Sequence, residues 1–170
     1  MFLMNFIRVY DIIPKENSEK MKKEIIINSI EDTIALGEKL GKELNKNMVV
    51  CLEGDLGAGK TTFTKGIGKG LDICEIINSP TFVIMKIYNG RLPLYHLDVY
   101  RLDNESGDDY LIEYFEAGGV SVIEWADNIS DLLPADFLKI SIFDMGDKMR
   151  KFVFESTGYI YDLLLERVEL

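Results

Sequence analysis

The chain has 170 residues, 47% of them hydrophobic and 28% charged, which suits one soluble domain with a real core and not two. With 19 basic against 29 acidic residues it carries a formal charge of −10, and such a surface repels phosphate backbones, so no strong direct nucleic-acid binding is expected. No apolar run approaches the roughly 18 residues of a membrane span and no signal peptide is recognisable at the start, so a cytoplasmic protein without membrane attachment is expected.

Residues 14 to 23, PKENSEKMKK, are polar and turn-rich, and Met21 within them is itself a candidate start. Residues 1–20 are therefore read as an N-terminal appendage, and residues 21–170 as a single domain without repeats or linkers. KKEIIIN reads as a strand, with isoleucines between charged flanks. Ser29 then supplies an N-cap with Asp32 three residues on. Ile30, Ile34, Gly37, Gly41 and Leu44 follow at helical spacing and predict about four turns. MVVCLE is a short apolar run, as a buried parallel strand should be, with Cys51 packed as a small hydrophobe. The next helix is expected to begin inside a glycine loop and end near Gly70, with Gly66, Gly68 and Gly70 lowering its intrinsic stability. TFVIMKIY and LPLYHLDVY flank Asn89-Gly90, a hairpin signal that predicts a long antiparallel ribbon. VSVIEW is another apolar strand ending in an acid. FLKISIF and KFVFES, joined through Asp144 to Asp147, predict a second hairpin, and YIYDLLLERVEL a closing helix. The expected fold is α/β: a single-domain, P-loop NTPase-like mixed sheet with an antiparallel hairpin, flanked by helices.

The chemistry is concentrated in GDLGAGKTT, Gly54 to Thr62. It fits G-x-x-x-x-G-K-S/T in full, between an apolar strand and a helix, which is the context the motif requires. Gly57 and Gly59 let the backbone wrap closely around phosphate with its N–H groups unobstructed. Those amides and the positive helix end favour an anion. Lys60 adds a charge at the β/γ oxygens and the Thr61 hydroxyl can ligate Mg²⁺. Asp55, Leu56, Gly57, Ala58, Gly59, Lys60, Thr61 and Thr62 are thus the expected phosphate cradle of ATP or GTP. Asp98 and Glu124 each end an apolar strand, where an acid projects towards the ligand crevice of an α/β sheet. Both are candidates for the metal shell with Thr61, and Lys60, Asp98 and Glu124 are the candidate catalytic residues. Ser79 and Thr81, in a turn before a strand, either sense the γ-phosphate as a switch loop or bond local backbone. His96 either positions the attacking water or fills a satisfied core position. Trp125 reads as a half-buried packing residue, and Asp55 as a loop cap or a group that orients a water or a partner. No residue stands out as an arginine finger; Arg101, near Asp98 in sequence, pairs with a surface carboxylate or reaches phosphate.

GDLGAGKTTFTKGI, INSPTFVI, YHLDVYRL and VSVIEWADNI, in that order and after EDTIALGEKLGKEL, resemble the TsaE family of small P-loop ATPases over residues 22 to 155. The resemblance implies an ATP-binding and hydrolysing accessory protein of tRNA threonylcarbamoyladenosine formation. It would act on the TsaB–TsaD pair, which moves a threonylcarbamoyl group to adenosine 37 of tRNA. The carbamoyl chemistry belongs to that partner, and hydrolysis is expected to be weak alone and stimulated by docking. Thr61 and Glu124 match the family's Mg²⁺ positions and Asp98 the acid of its D-x-Y-R motif. Thr33 matches a threonine near the nucleotide, and Arg150 a late basic residue by the base. Residues 1–20 and GYIYDLLLERVEL fall outside the match. Two other readings stay open: a small P-loop kinase, against which the lack of an Arg-rich lid insertion counts, and a nucleotide-gated scaffold without useful hydrolysis.

Overall fold

The computed structural model describes residues 20–102 and 109–168; the appendage predicted at residues 1–20 lies, but for Lys20, outside them. In chain order the elements are β1 (Lys22–Ile27), α1 (Ile30–Glu43), β2 (Val49–Glu53), α2 (Lys60–Gly70), β3 (Met85–Tyr88), β4 (Leu94–Asp98), α3 (Ile112–Phe115), β5 (Val120–Glu124), β6 (Leu138–Gly146), β7 (Met149–Ser156) and α4 (Tyr159–Arg167). One seven-stranded sheet has the order β1-β7-β6-β2-β5-β4-β3. Its centre, β6-β2-β5-β4, is parallel, and antiparallel pairs close both flanks. The expected mixed α/β sheet is what forms.

β2 shows why a central strand reads as a continuous apolar run. Val50 and Leu52 enter the core under α1, α2 and α4, while Val49 and Cys51 enter the one under α3 and two 3-10 segments. Both faces are covered, so no polar alternation survives. Burial pushes the Cys51 thiol pKa up, which keeps it protonated and inert.

The first helix starts as its cap predicts: Ser29 Oγ accepts from Asp32 N at 3.0 Å. Its buried face is Thr33, Leu36, Gly37, Leu40 and Gly41, whereas Ile30 is exposed and Leu44 lies just past the helix end. Gly37 and Gly66 explain the glycines of α2. A Cβ on Gly66 would stand 2.3 Å from Ile34 O, and one on Gly37 2.4 Å from Phe63 O. The two helices therefore touch backbone to backbone, which seats α2 low over the sheet.

The first hairpin departs from expectation. β3 begins only at Met85 and pairs with β4 over four residues, so the ribbon is short. The residues TFVI before it form a turn, with Phe82 85% exposed. Asn89-Gly90 does not make a two-residue turn; residues 89–93 form a wider loop held over two helix ends. Arg91 explains it: its guanidinium donates to Gly41 O at 2.6 Å and Leu44 O at 2.8 Å, and its N–H to Leu71 O at 2.8 Å. Satisfying the free carbonyls at the ends of α1 and α2 outweighs the local turn preference. In the second hairpin the turn is Asp147-Lys148, both at positive φ (47° and 66°), with Gly146 paired to Met149. The turn thus falls at the far end of the predicted junction and one residue beyond it, because β6 continues through a bulge at Asp144.

Candidate nucleotide site

β2 ends at Glu53 and α2 begins at Lys60, leaving Gly54 to Gly59 to turn the chain. Gly59 takes φ 113°, which excludes an ordinary side chain. It caps α2 without any side-chain hydrogen bond, so the helix's first amides are left for an anion. Ala58 N donates to Asp55 O at 3.0 Å and closes the loop on itself.

Lys60 is 5% exposed. Its ammonium donates to Gly54 O at 2.6 Å and Asp55 O at 3.0 Å, and sits 3.9 Å from the centre of the Trp125 ring. Burial lowers its pKa, opposed by the charges of Glu124, Glu53, Asp98 and Asp55. The cation is thus held by neutral acceptors inside an acidic surround, which an arriving anion would exchange for charged oxygens.

The parallel register of β4 and β5 sets Asp98 directly beside Glu124, both nearly buried at 5% and 3% exposure. The Thr61 hydroxyl donates to the Glu124 carboxylate, at 2.9 Å to Oε1 and 3.2 Å to Oε2. Asp98 Oδ2 accepts from Thr81 Oγ1 at 2.6 Å and Ser79 Oγ at 3.3 Å, and Oδ1 from Tyr100 N at 3.1 Å. Ser79 and Thr81 therefore bind the acid's side chain, and their hydroxyls also touch each other.

These groups line a crevice of about 280 Å³ that holds Gly57, Gly59, Lys60, Thr61, Thr62, Leu56, Ser79, Thr81, Asp98, Glu124 and Trp125. A second pocket of about 160 Å³ shares Gly57, Gly59 and Thr62 and adds Ser29, Ile30, Thr33, Ala58, Lys148 and Arg150. Arg150 Nε donates to Ala58 O at 3.0 Å and its Nη1 to Asp144 at 2.8 Å. The loop thus separates a crevice lined by Thr61 and two acids from a smaller pocket lined by Thr33, Lys148 and Arg150. Of the residues singled out for the site in the sequence, all reach one pocket or the other except Gly54, Asp55, His96 and Arg101. Asp55 points to solvent and contributes its carbonyl. Among the described residues Arg101 meets no carboxylate, and it does not line the crevice; its guanidinium lies 5.0 Å from the Phe82 ring centre.

The donor set also bears on a metal. Among the described residues no group of three or more His, Cys, Asp or Glu is clustered as a self-sufficient metal site. Thr61, Glu124 and Asp98 offer oxygen only, which fits Mg²⁺, a hard ion that keeps several waters and takes few protein ligands. Among the same residues no helix is long and apolar enough to cross a membrane.

The family model described as threonylcarbamoyl adenosine biosynthesis protein TsaE matches residues 27–152. The chain belongs to the TsaE family. It is 49% identical over 139 residues to the tRNA threonylcarbamoyladenosine biosynthesis protein TsaE of Bacillus subtilis, covering 81% of this chain and 88% of that one. The corresponding protein of Treponema pallidum is 40% identical over 134 residues, or 74% of this chain and 95% of its own. The crystal structure of Bacillus subtilis YdiB superposes with a TM-score of 0.79 at 40% identity, over 89% of this chain and 97% of that one. The TsaE match runs from the end of β1 into β7, so it takes in the loop, both acids and Arg150. Sequence reasoning missed Lys148 and Ser29 in the second pocket, and the seat of Lys60 on Trp125. Lys148 lies one residue past the predicted hairpin junction, which ended at Asp147; the Trp125 contact depends on a left-handed turn at φ 64° that no local pattern announces.

Proposed function

We propose that the chain binds ATP with Mg²⁺ across the glycine loop and hydrolyses it in support of tRNA threonylcarbamoyladenosine formation, acting on the TsaB–TsaD pair. The observation that carries the reading is Thr61 joined to Glu124 beside Lys60. The Thr61 hydroxyl keeps its proton and donates it in a hydrogen bond to Glu124, which leaves its lone pairs free to face a metal. Bound Mg²⁺ would neutralise charge developing on the phosphates. Lys60 holds the triphosphate, Thr33 and Arg150 the nucleoside side, and Asp98 tethers the Ser79–Thr81 loop at the crevice edge. A nucleotide that changes the partners of Asp98 would move that loop, so nucleotide state and partner affinity become linked, each acting on the other.

The four relevant cations argue for help from outside. Lys60, Lys148 and Arg150 line the two pockets, and Arg101 stacks on Phe82; none is placed as an arginine finger, whose arrival is worth ~10³–10⁵ in turnover. The acidic surface supports recognition by a protein partner and not by tRNA, and on this reading the work is done in the cytoplasm. The test is steady-state phosphate release at fixed ATP, alone, with purified TsaB–TsaD, and with small acceptors. Slow release alone and at least a tenfold rise with the pair is expected, ~1.4 kcal/mol or more off the barrier. Equal rates defeat partner activation; turnover that consumes a small acceptor makes the chain a kinase, and no release in any arm makes it a scaffold.

A further inference from the structure

His96 sits on β4 with no exposed surface and does not line the crevice. Its Nε2 lies 2.8 Å from Glu124 Oε1, while Nδ1 has no hydrogen-bond partner among the described residues. A carboxylate already accepting from Thr61 has lone pairs to offer, so Nε2 is the donor. A proton on Nδ1 would be buried without an acceptor, an unmade hydrogen bond at full desolvation cost. The ring therefore has one polar contact, and that contact is Glu124.

Glu124 needs holding. The last torsion of a glutamate is broad, and several of its rotations turn the carboxylate away from Thr61. The Thr61 hydroxyl is itself a rotor and cannot fix its own acceptor. His96 pairs in register with Val122 on the parallel strand β5, two residues before Glu124, so the two side chains lie on the same face of the sheet. A planar ring with its donor at the tip spans the gap between them with only two torsions to freeze.

We propose that His96 is a positioning residue for Glu124: its Nε2–H holds the carboxylate where it accepts the Thr61 hydrogen bond and leaves the Thr61 lone pairs to Mg²⁺. The proposal rests on the metal–nucleotide reading above. The test compares the full wild-type chain with His96→Gln and His96→Leu by fluorescent-ATP titration at rising Mg²⁺ and in chelator, with melting temperature followed in parallel. Glutamine carries an N–H near the place of Nε2; leucine fills the space without a donor.

In His96→Leu the Mg²⁺ needed for half-maximal effect should rise about 10- to 100-fold, while affinity in chelator changes less than about twofold. His96→Gln should recover most of that loss, which a purely structural role would not predict. Wild-type Mg²⁺ dependence in His96→Leu overturns the proposal. Equal losses in the Leu and Gln variants also overturn it, since ring shape and not the donor would then matter. If the Leu variant does not fold, His96→Asn, too short to reach Glu124, replaces it with the same expected loss. A wild-type chain indifferent to Mg²⁺ refutes the metal–nucleotide reading itself, and this proposal with it.

Discussion

Four carboxylates surround Lys60, yet its direct acceptors are two neutral carbonyls. Lys60→Ala should remove a charge-assisted contact to the triphosphate of ~1.5–3 kcal/mol, about 10- to 150-fold in affinity by fluorescent-nucleotide titration. Burial lowers the pKa of Lys60 below its ordinary value of 10.5, and a bound anion raises it again. Between those two values binding takes up a proton, so affinity should fall as pH rises through the alkaline range, and Lys60→Ala should lose that slope. Glu124→Ala has a different signature if, as proposed, the acid serves the metal and not the phosphate grip: Mg²⁺-dependent hydrolysis should fall far more than nucleotide affinity, and unchanged turnover would return Glu124 to a packing role. Both acids were legible in the sequence because each ends an apolar strand beside a certain glycine loop. The partner of Glu124 was not, since His96 meets it only through the β4–β5 register, a long-range pairing that no local pattern encodes.

At the scale of elements, two opposed effects meet at Gly66. Alanine there would favour the helix by ~1 kcal/mol, but its Cβ would stand 2.3 Å from Ile34 O and 2.9 Å from Gly37 Cα. Backbone cannot yield as a side chain does, so α1 must lift from α2, with an overpacking cost of ~1–3 kcal/mol or more after repacking. Gly66→Ala should therefore lower the melting temperature by about 3–10 °C, and a rise would show that propensity wins. The glycines of α2 were readable as a weakness of an isolated helix; their purpose needs both helices. The hairpins teach the same lesson. Asp147-Lys148 forms the turn at the far end of the predicted junction because the bulge at Asp144 shifts the register. Asn89-Gly90 carries a strong local signal and fails, since Arg91 is drawn to the carbonyls of Gly41 and Leu44. Tertiary capping overrides local preference wherever it satisfies several buried acceptors at once.

For the molecule as a whole, the class of fold was legible and the strand order was not. β2 and β5 read as buried strands from their unbroken apolar runs, but the insertion of β2 between β6 and β5 joins segments some seventy or more residues apart and leaves no periodic trace. The N-terminal boundary is a further matter of the whole chain. β1 is an edge strand paired with β7 from Lys22 onward, and Met21 already takes part: its N–H donates to Ser156 Oγ at 3.0 Å and Asp162 Oδ1 at 3.4 Å, and its carbonyl accepts from Ser156 N at 3.0 Å. A chain starting at Met21 keeps every one of these bonds. It also places a charged amino terminus against Asp162, a contact that strengthens when the donor carries charge. Such a chain should fold and bind ATP as the full one does, with the melting temperature unchanged within about 2 °C. The measurement is a thermal melt and a nucleotide titration of both chains side by side. A fall of more than about 5 °C, ~1 kcal/mol or more for a domain of this size, would show that residues 1–20 pack against the rest, and a fall in affinity alone would place them at the nucleotide.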